Sequence, residues 1–240
     1  MSGVPTFGLV HGAYHGTWQW GQLVAELERR GQRCVCVDLP VDDPNCGVRD
    51  YAAAAAQAFE GIEDLVVVGH SLGGRVIPFV AELLPVRELI FLAGAVQAEV
   101  FGPVPAGPTL LISAADRSVG DDGLVRISGS AGERYFYHDV PPSLRAWACS
   151  QLRPQAERAL APERIPRLDP VPAVSYIVCA DDRALSPAWQ RAVAIETLHV
   201  RPHEIAGGHS PFLARPGELA DLLVAIADGA GGAETRETDP

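Results

Sequence analysis

The chain has 240 residues, of which 48% are hydrophobic, so it is long enough to form one domain with a substantial core. Its 30 acidic residues outnumber 19 basic ones and give a net charge of −11, which argues against nucleic-acid binding because phosphate contacts need clustered cations. All the basic residues are arginines, and the absence of lysine excludes Schiff-base chemistry, covalent pyridoxal phosphate and a P-loop.

Short apolar runs alternate with amphipathic stretches along most of the chain. The apolar runs predict six strands, at 6–10, 33–40, 65–69, 88–96, 174–180 and 199–206. Helices are predicted at 18–30, at 49–62, from the end of the third strand to about 84, at 187–196 and at 216–228. Continuous Val, Ile and Leu runs that alternate with helices are typical of a parallel sheet covered on both faces. The predicted fold class is therefore α/β, with a mostly parallel six-stranded sheet.

One long segment breaks this alternation. Residues 97–170 are rich in Pro, Gly and Arg and are too long for a connecting loop, so we predict an inserted lid. The core then comprises 1–96 and 171–228, and the tail at 229–240 is predicted to be disordered. The lid also supplies five aromatic candidates for substrate binding, for which ordinary packing is an equally good explanation: Phe101, Tyr135, Phe136, Tyr137 and Trp147.

Ser71 lies in the sequence LVVVGHSLGG, between a predicted buried strand and a predicted helix. Ligands of an open parallel sheet gather at the carboxyl ends of its strands, where this serine is expected. A turn this sharp leaves no room for side chains two positions before or after it, which explains Gly69 and Gly73, and it strains the serine backbone. The pattern G-x-S-x-G therefore predicts a nucleophile. The alternative is a serine that only caps the helix.

A serine nucleophile needs a base and a group that orients the base. His209, in the sequence IAGGHSPF, follows the last predicted strand and so lies at the carboxyl edge of the sheet; we predict it as the base. His70 is next to the nucleophile, but on so sharp a turn its side chain points elsewhere. His199 and His203 are interpreted as structural residues of the last strand, and His138 as an exposed polar residue of the lid.

The orienting acid is expected on a loop between the serine and the histidine. Asp181 and Asp182 follow a predicted strand in the sequence IVCADDRALSP, although a polar turn before the next helix would also explain them. Asp116 has a similar setting but lies in the predicted lid, which makes it the weaker candidate.

Four segments together resemble a known family: LVHGAYHGTWQWGQL, VVVGHSLGG, YIVCADDRALSPAWQR and GGHSPFLARPGEL. The chain resembles the α/β-hydrolases, in particular the branch of plant methylesterases (salicylate-binding esterases) and hydroxynitrile lyases, with their bacterial esterase relatives. The resemblance implies that the acid is Asp182 rather than Asp181. It also implies that the backbone N–H groups of Ala13 and Leu72 form an oxyanion hole, in which two fixed donors would stabilise the charge that develops on the carbonyl oxygen.

Two positions depart from the lyases of that branch. Those enzymes carry a threonine in the first loop and a lysine directly after the catalytic histidine, where this chain has Gly12 and Ser210. The resemblance therefore favours an esterase over a hydroxynitrile lyase.

The predicted function is hydrolysis of a small hydrophobic or aromatic carboxylic ester through an acyl-enzyme, without a metal or an organic cofactor. Acyl transfer or cyclisation in a biosynthetic pathway, hydrolysis of a lactone or thioester, and ligand binding by a receptor with this fold remain alternatives. The expected partner is the small-molecule substrate alone, with no nucleic acid and no membrane; a homodimer stays open. Five scattered cysteines without a C-x-x-C pair favour buried free thiols in a reducing compartment, the cytoplasm, and the exclusive use of arginine hints at a GC-rich bacterial genome.

Overall fold

A six-stranded parallel sheet forms the centre of the molecule. The computed structural model describes residues 4–97, 101–107, 109–161, 163 and 168–229. The described residues form nine strands, of which six belong to this sheet: β1 (Thr6–Val10), β2 (Arg33–Val37), β3 (Leu65–His70), β4 (Glu88–Leu92), β5 (Arg117–Val119), β6 (Leu124–Ile127), β7 (Gln155–Ala156), β8 (Ala173–Cys179) and β9 (His203–Ile205). The central sheet has the order β2-β1-β3-β4-β8-β9, and every neighbouring pair in it is parallel. The predicted fold class is confirmed.

Helices cover both faces of this sheet. The α-helices of the described residues, including two in the segment between β4 and β8, are α1 (Gly21–Arg29), α2 (Val48–Phe59), α3 (Gly73–Leu83), α4 (Gly129–Tyr135), α5 (Pro142–Ser150), α6 (Pro187–Ala192), α7 (Pro211–Ala214) and α8 (Pro216–Ala227). Side chains alternate between the faces along each strand, so that in β4 Leu89 and Phe91 enter one apolar core while Ile90 and Leu92 enter the other. The first core packs against α2, α3 and α6, and the second against α1, α7 and α8. Burial on both faces explains why the inner strands β1, β3 and β4 are largely apolar, whereas the edge strands β2 and β9 are more polar and more exposed.

Several predicted elements differ in their bounds or helix type from what the hydrophobic pattern suggests. The strand predicted at 88–96 stops at Leu92, because Ala93 has a left-handed backbone with φ of 42°. The strand predicted at 199–206 is only His203–Ile205, since His199 is also left-handed, with φ of 56°, and Pro202 has no N–H for a ladder. The helix predicted at 187–196 is α6 followed by a π-helical segment, Val193–Thr197.

The chain between β4 and β8 leaves the central sheet. Among its described residues, β5, β6 and β7 form a small antiparallel sheet with the order β5-β6-β7. Both α4 and α5 lie between β6 and β7 along the chain. The sequence pattern did not indicate this sheet, whose strands have only two to four residues. That the segment 97–170 acts as a lid stays a prediction. The tail predicted to be disordered lies, from residue 230 onward, outside the described residues.

Three further features of the described residues concern membrane spans, metal ligands and cysteines. No helix there is both long and apolar enough to cross a bilayer. No group of three or more His, Cys, Asp or Glu side chains there could hold a metal ion. All five cysteines are free thiols; Cys179 is buried, whereas the other four are only partly buried.

Candidate active site

Ser71 sits on a turn between β3 and α3 that only glycine neighbours permit. Its φ is 51°, a left-handed conformation that strains a residue with a side chain. A Cβ on Gly69 would lie 2.6 Å from the carbonyl oxygen of Gly73, and a Cβ on Gly73 would lie 2.6 Å from that of Val10. The backbone therefore approaches itself too closely for any larger residue, as the sequence pattern indicates.

Backbone hydrogen bonds hold the strained serine in place. The Ser71 N–H donates to the carbonyl oxygen of Leu92 at 3.2 Å. The Ser71 carbonyl oxygen accepts from the N–H groups of Gly74 at 3.0 Å and Ala95 at 2.8 Å. The residues just after β4 thus fasten the turn that follows β3, which is one reason for the early end of β4.

Asp182 and His209 form a buried pair. Nδ1 of His209 lies 2.7 Å from Oδ2 of Asp182, and the two residues are 1% and 4% exposed, respectively. Asp182 follows β8 and His209 follows β9, so both come from the carboxyl edge of the sheet, at which Ser71 also lies. A carboxylate on Nδ1 leaves Nε2 of the imidazole free to act as a base.

The Asp182 carboxylate is held by four donors. Its Oδ1 accepts from the backbone N–H groups of Ala184 at 2.7 Å and Leu185 at 2.9 Å. Its Oδ2 accepts from His209 and, at 2.8 Å, from the side-chain amide of the buried residue Gln190. The carboxylate is therefore fixed on both oxygens, and it presents only one of them to the imidazole.

The loop that carries His209 is held from two sides. Nε2 of the buried His70 donates to the carbonyl oxygen of His209 at 2.9 Å. From the other side, Oδ2 of Asp139 accepts from the N–H of Gly208 at 2.8 Å and from Nη1 of Arg215 at 2.7 Å. His70, which sequence reasoning set aside, thus supports the predicted base, His209, through its backbone.

His138 is not the exposed residue that the sequence suggested. It is half-buried, and its ring lies so close to Gly208 that a Cβ there would be 2.4 Å from Cε1. Its Nδ1 is buried without a partner among the described residues. Burial lowers the pKa of His138, and the Arg183 guanidinium acts in the same direction.

Ser71 and His209 line one cavity of about 270 Å³. Its described lining is Ala13, Tyr14, His15, Ser71, Leu72, Arg75, Ala95, Thr109, Leu110, Ile112, Arg117, Phe136, Leu160, Ala184, Leu185 and His209. Most of these side chains are apolar, as expected for a small-molecule site.

Phe136 is the one predicted lid aromatic in that lining. Phe101 packs on Phe91 in the core at 5.9 Å between ring centroids, and Trp147 meets Trp18 at 5.4 Å. The hydroxyl of Tyr135 donates to Asp116, while Tyr137 is fully buried. Packing is therefore the better explanation for four of the five.

Ala13 and Leu72 both line the cavity, on either side of the serine turn. Neither backbone N–H donates to an acceptor in the described part of the chain. Leu72 precedes the first residue of α3, where backbone N–H groups are ordinarily free for a ligand. Both amides are thus available as donors to a ligand; that they form an oxyanion hole stays a prediction.

A hydrogen-bond chain supports the loop of Ala13. Nδ1 of His15 donates to the Ala13 carbonyl oxygen at 2.6 Å, and the hydroxyl of Tyr137 donates to Nε2 of His15 at 2.8 Å. Burial lowers the pKa of His15 to about 3, so this imidazole is neutral and can donate at one nitrogen while it accepts at the other.

The remaining candidates lie away from this pair. Asp181 is exposed and accepts from the N–H of Gly207 at 3.3 Å, while Asp116 forms an ion pair with Arg134. His199 is exposed, and His203 is partly buried in β9. None of the four lines the cavity.

Sequence reasoning missed Gln190, His15 and Arg117. Gln190 and His15 are polar residues at buried positions, a state that sequence cannot reveal without the fold. Arg117 lies in the insertion, whose pattern gave no strand. The spacing of Gln190, eight residues after Asp182 on the next helix, was the one available signal.

The chain has clear similarity to known proteins. Residues 9–222 match the profile of the Alpha/beta hydrolase family. Esterase PIR7B from Oryza sativa subsp. japonica is 29% identical over 258 residues, covering 92% of this chain and 95% of the relative. Methylesterase 7 from Arabidopsis thaliana is 24% identical over 258 residues, covering 92% and 96%. The solved structure of the pyrethroid hydrolase PytH superposes with a TM-score of 0.79 at 23% identity, covering 97% and 100%, which shows the shared fold.

Proposed function

Because this chain belongs to the alpha/beta hydrolase family, we propose that it is a serine esterase that cleaves a small carboxylic ester through an acyl-enzyme. Ser71 is the nucleophile, His209 the general base and Asp182 the residue that orients the base. The observation that carries the proposal is the buried contact of 2.7 Å between Asp182 and His209, made at the cavity that Ser71 lines.

Each residue has one task in the reaction. His209 takes the proton of the Ser71 hydroxyl through Nε2 while the serine oxygen attacks the ester carbonyl. The alcohol leaves with that proton, and the acyl group stays on Ser71. Water then attacks the acyl-enzyme by the same route, and the acid product leaves. Asp182 keeps the imidazole in the required tautomer and stabilises its cation.

The N–H groups of Ala13 and Leu72 are assigned to the oxyanion hole. Their free state and their position at the cavity support this role. Losing one such donor typically raises the barrier by about 2.7–4 kcal/mol. The chain from Tyr137 through His15 to the Ala13 carbonyl would keep one of the two donors in position.

The size and lining of the cavity support a small, largely apolar substrate. A volume of about 270 Å³ with walls such as Leu110, Ile112 and Phe136 suits a short or aromatic acyl group. The position that is threonine in the lyases is Gly12, where a Cβ would lie 2.9 Å from Cβ of Ser71. A larger residue there would press on the nucleophile, which supports hydrolysis over the lyase reaction.

The test is a panel of para-nitrophenyl esters with the Ser71→Ala variant. Loss of the nucleophile is expected to lower kcat by at least about 10⁴-fold, as for serine hydrolases in general. Ser150→Ala, at an exposed serine of α5, is the matched control and should keep full activity. A burst of nitrophenol and a mass increase on Ser71 would show the acyl-enzyme. Equal activity of the wild type and Ser71→Ala on every ester would refute the proposal.

A further inference from the structure

The cavity is positively charged although the protein is acidic. Arg75 and Arg117 both contribute to its described lining, which contains no Asp and no Glu. The whole chain has 30 acidic residues and a net charge of −11. Two cations without a carboxylate are therefore unexpected in this lining, and a neutral apolar substrate does not require them.

Arg117 has hydrogen-bond donors without partners. Its Nε is buried and unpartnered, and its guanidinium forms no ion pair or side-chain hydrogen bond with any described residue. An unpaired buried donor on a charged group is costly, so such a group is expected to meet an acceptor when the site is filled. The guanidinium offers five donors in a planar fork that matches a carboxylate.

Arg75 differs from Arg117 in having partners. Its guanidinium donates to the carbonyl oxygens of Leu160, at 2.9 Å, and Ala161. Burial lowers the pKa of Arg75, and the nearby Glu163 acts in the opposite direction. Both arginines thus add positive charge to the lining, but the Arg75 guanidinium is engaged by carbonyl oxygens whereas Arg117 has free donors.

The backbone fixes Arg117 close to the reaction centre. It begins β5 and pairs with Ile127 of β6, which anchors its backbone in the small sheet. Burial raises the pKa of the Tyr14 phenol, and the Arg117 cation lowers it, so the cation acts on this neighbour of Ala13. Arg117 and Leu160 also line a second depression, so they are shared between the two.

We propose that the cavity selects esters that carry a carboxylate, with Arg117 as the residue that binds this anion. The inference rests on the proposed function, because the same molecule must present its ester carbonyl to Ser71. The substrate class is then the half-ester of a dicarboxylic acid, or an ester with an equivalent carboxylate.

The physical advantage of this arrangement is selectivity. A guanidinium and a carboxylate in a cavity of low dielectric attract each other far more strongly than in water. A neutral ester of the same shape leaves Arg117 without its partner, and sites built for a polar group reject the analogue that lacks it. The net negative charge of the protein repels anions in general, so a local cation is needed to admit this one.

The experiment compares two matched pairs of substrates. One pair is the para-nitrophenyl half-ester of adipic acid and its analogue with a carboxamide in place of the carboxylate; the other is the corresponding pair from terephthalic acid. The flexible and the rigid diacid cover different distances between the carbonyl and the anion. The readout is kcat/KM at neutral pH for each substrate, after subtraction of the rate with Ser71→Ala.

The wild type is expected to prefer the carboxylate of at least one pair by about tenfold to a hundredfold, the range for a charge-assisted hydrogen bond. Arg117→Gln should abolish this preference, so that the carboxylate and carboxamide rates become equal within about twofold, whereas Arg117→Lys should retain part of it. Arg126→Gln is the matched control, because Arg126 lies on the neighbouring strand β6 in an exposed ion pair with Asp122. The control should keep the full preference.

The outcomes separate this inference from the proposed function. Hydrolysis of the carboxamide esters without any preference for the carboxylates, or a preference that survives in Arg117→Gln, would overturn the inference and leave the esterase standing. If neither kind of ester is hydrolysed, calorimetry can test whether Arg117 binds a carboxylate. The binding of adipate and terephthalate is then measured with Ser71→Ala, with and without Arg117→Gln. Binding that Arg117→Gln weakens about tenfold or more supports the anion site, and binding that it leaves unchanged refutes it.

Discussion

The side chain of Gln190 contacts three residues in or beside the loop after β8 that carries Asp182, here called the acid loop. Its amide nitrogen donates to Oδ2 of Asp182 at 2.8 Å and to the carbonyl oxygen of Leu185 at 2.9 Å, and its amide oxygen accepts from the N–H of Cys179 at 3.1 Å. It therefore fixes the carboxylate relative to both the end of β8 and the start of α6. In the proposed mechanism Gln190 is a positioning residue, because it acts on His209 through Asp182.

Replacing Gln190 with leucine is expected to lower kcat about tenfold with little change in KM, because a mobile carboxylate no longer holds the imidazole during proton transfer. The free energy of unfolding should fall by about 1–3 kcal/mol, since the Cys179 N–H loses its acceptor inside the core. Steady-state kinetics and urea denaturation measure the two effects.

Gln151→Leu serves as the control, because Gln151 is a partly exposed residue at the end of α5. Unchanged kcat in Gln190→Leu would show that Asp182 is fixed well enough by the backbone donors of its own loop.

At this scale, sequence identifies residues that a motif fixes and misses those that only the fold brings together. The pattern G-x-S-x-G singles out Ser71, and His209 follows the last predicted strand after two glycines, but the choice of Asp182 over Asp181 came only from the family resemblance. Gln190 and Arg117 belong to no motif. Their significance depends on burial and on missing partners, which are properties of the folded chain.

Asp139 joins the insertion to the loop between β9 and α7. Its Oδ2 accepts from the N–H of Gly208 and from Arg215, next to His209. A bridge between Leu110 and Leu185 ties the same insertion to the acid loop, supported by a bond of 2.9 Å from the Leu111 N–H to the Ala184 carbonyl oxygen. The insertion thus contacts both loops that carry the predicted base and acid.

We expect Asp139→Ala to lower kcat by about an order of magnitude, because the N–H of Gly208 loses its acceptor and the His209 loop gains freedom. The lost hydrogen bonds to a partly buried charge should also lower the free energy of unfolding by about 1–3 kcal/mol.

The matched variant is Asp122→Ala in the same insertion, whose carboxylate pairs with Arg126 at the surface. Activity should barely change. The free energy of unfolding should fall by about 1–2 kcal/mol, because the exposed pair contributes about 0–1 kcal/mol and Oδ1 of Asp122 also accepts from the N–H of Leu124 at 3.1 Å. Equal effects of the two substitutions on kcat would refute a specific role for Asp139.

Among the elements, the central strands and most helices follow from hydrophobic pattern, since burial on both faces leaves an unbroken apolar run. The ends of the strands cannot be predicted from this pattern, because they depend on backbone conformations such as the left-handed one of Ala93. The insertion was recognisable by length alone, for strands of two to four residues are too short to show a period.

Four buried histidines lie at the centre of the whole molecule: His11, His15, His70 and His209, each at most 1% exposed. Burial lowers the pKa of His15 to about 3 and holds that of His70 well below its ordinary value of 6.5. The unfolded chain exposes both imidazoles to water, so it binds protons that the folded chain excludes.

The free energy of unfolding is therefore expected to fall as the pH is lowered below about 6.5, by up to about 1.4 kcal/mol per pH unit for each such histidine. For His15 this loss continues down to about pH 3, the pKa in the folded state. Urea denaturation at a series of pH values measures the slope.

His15→Gln should make the slope shallower whatever its effect on absolute stability, while His199→Gln, at an exposed histidine, should leave it unchanged. An identical slope in wild type and His15→Gln would show that His15 takes no part in acid unfolding.

The contacts of the insertion with the two loops that carry the predicted acid and base have a consequence for recombination with homologues. A chimera that takes 97–170 from another parent would separate Asp139 from Arg215 and Leu110 from Leu185. Crossovers near the end of β4 and the start of β8 would then displace the loops of Asp182 and His209, even if all three residues of the proposed triad are inherited. Transfer of the insertion alone is therefore not expected to transfer substrate range. The loops after β8 and β9 have to come from the same parent as the insertion that contacts them.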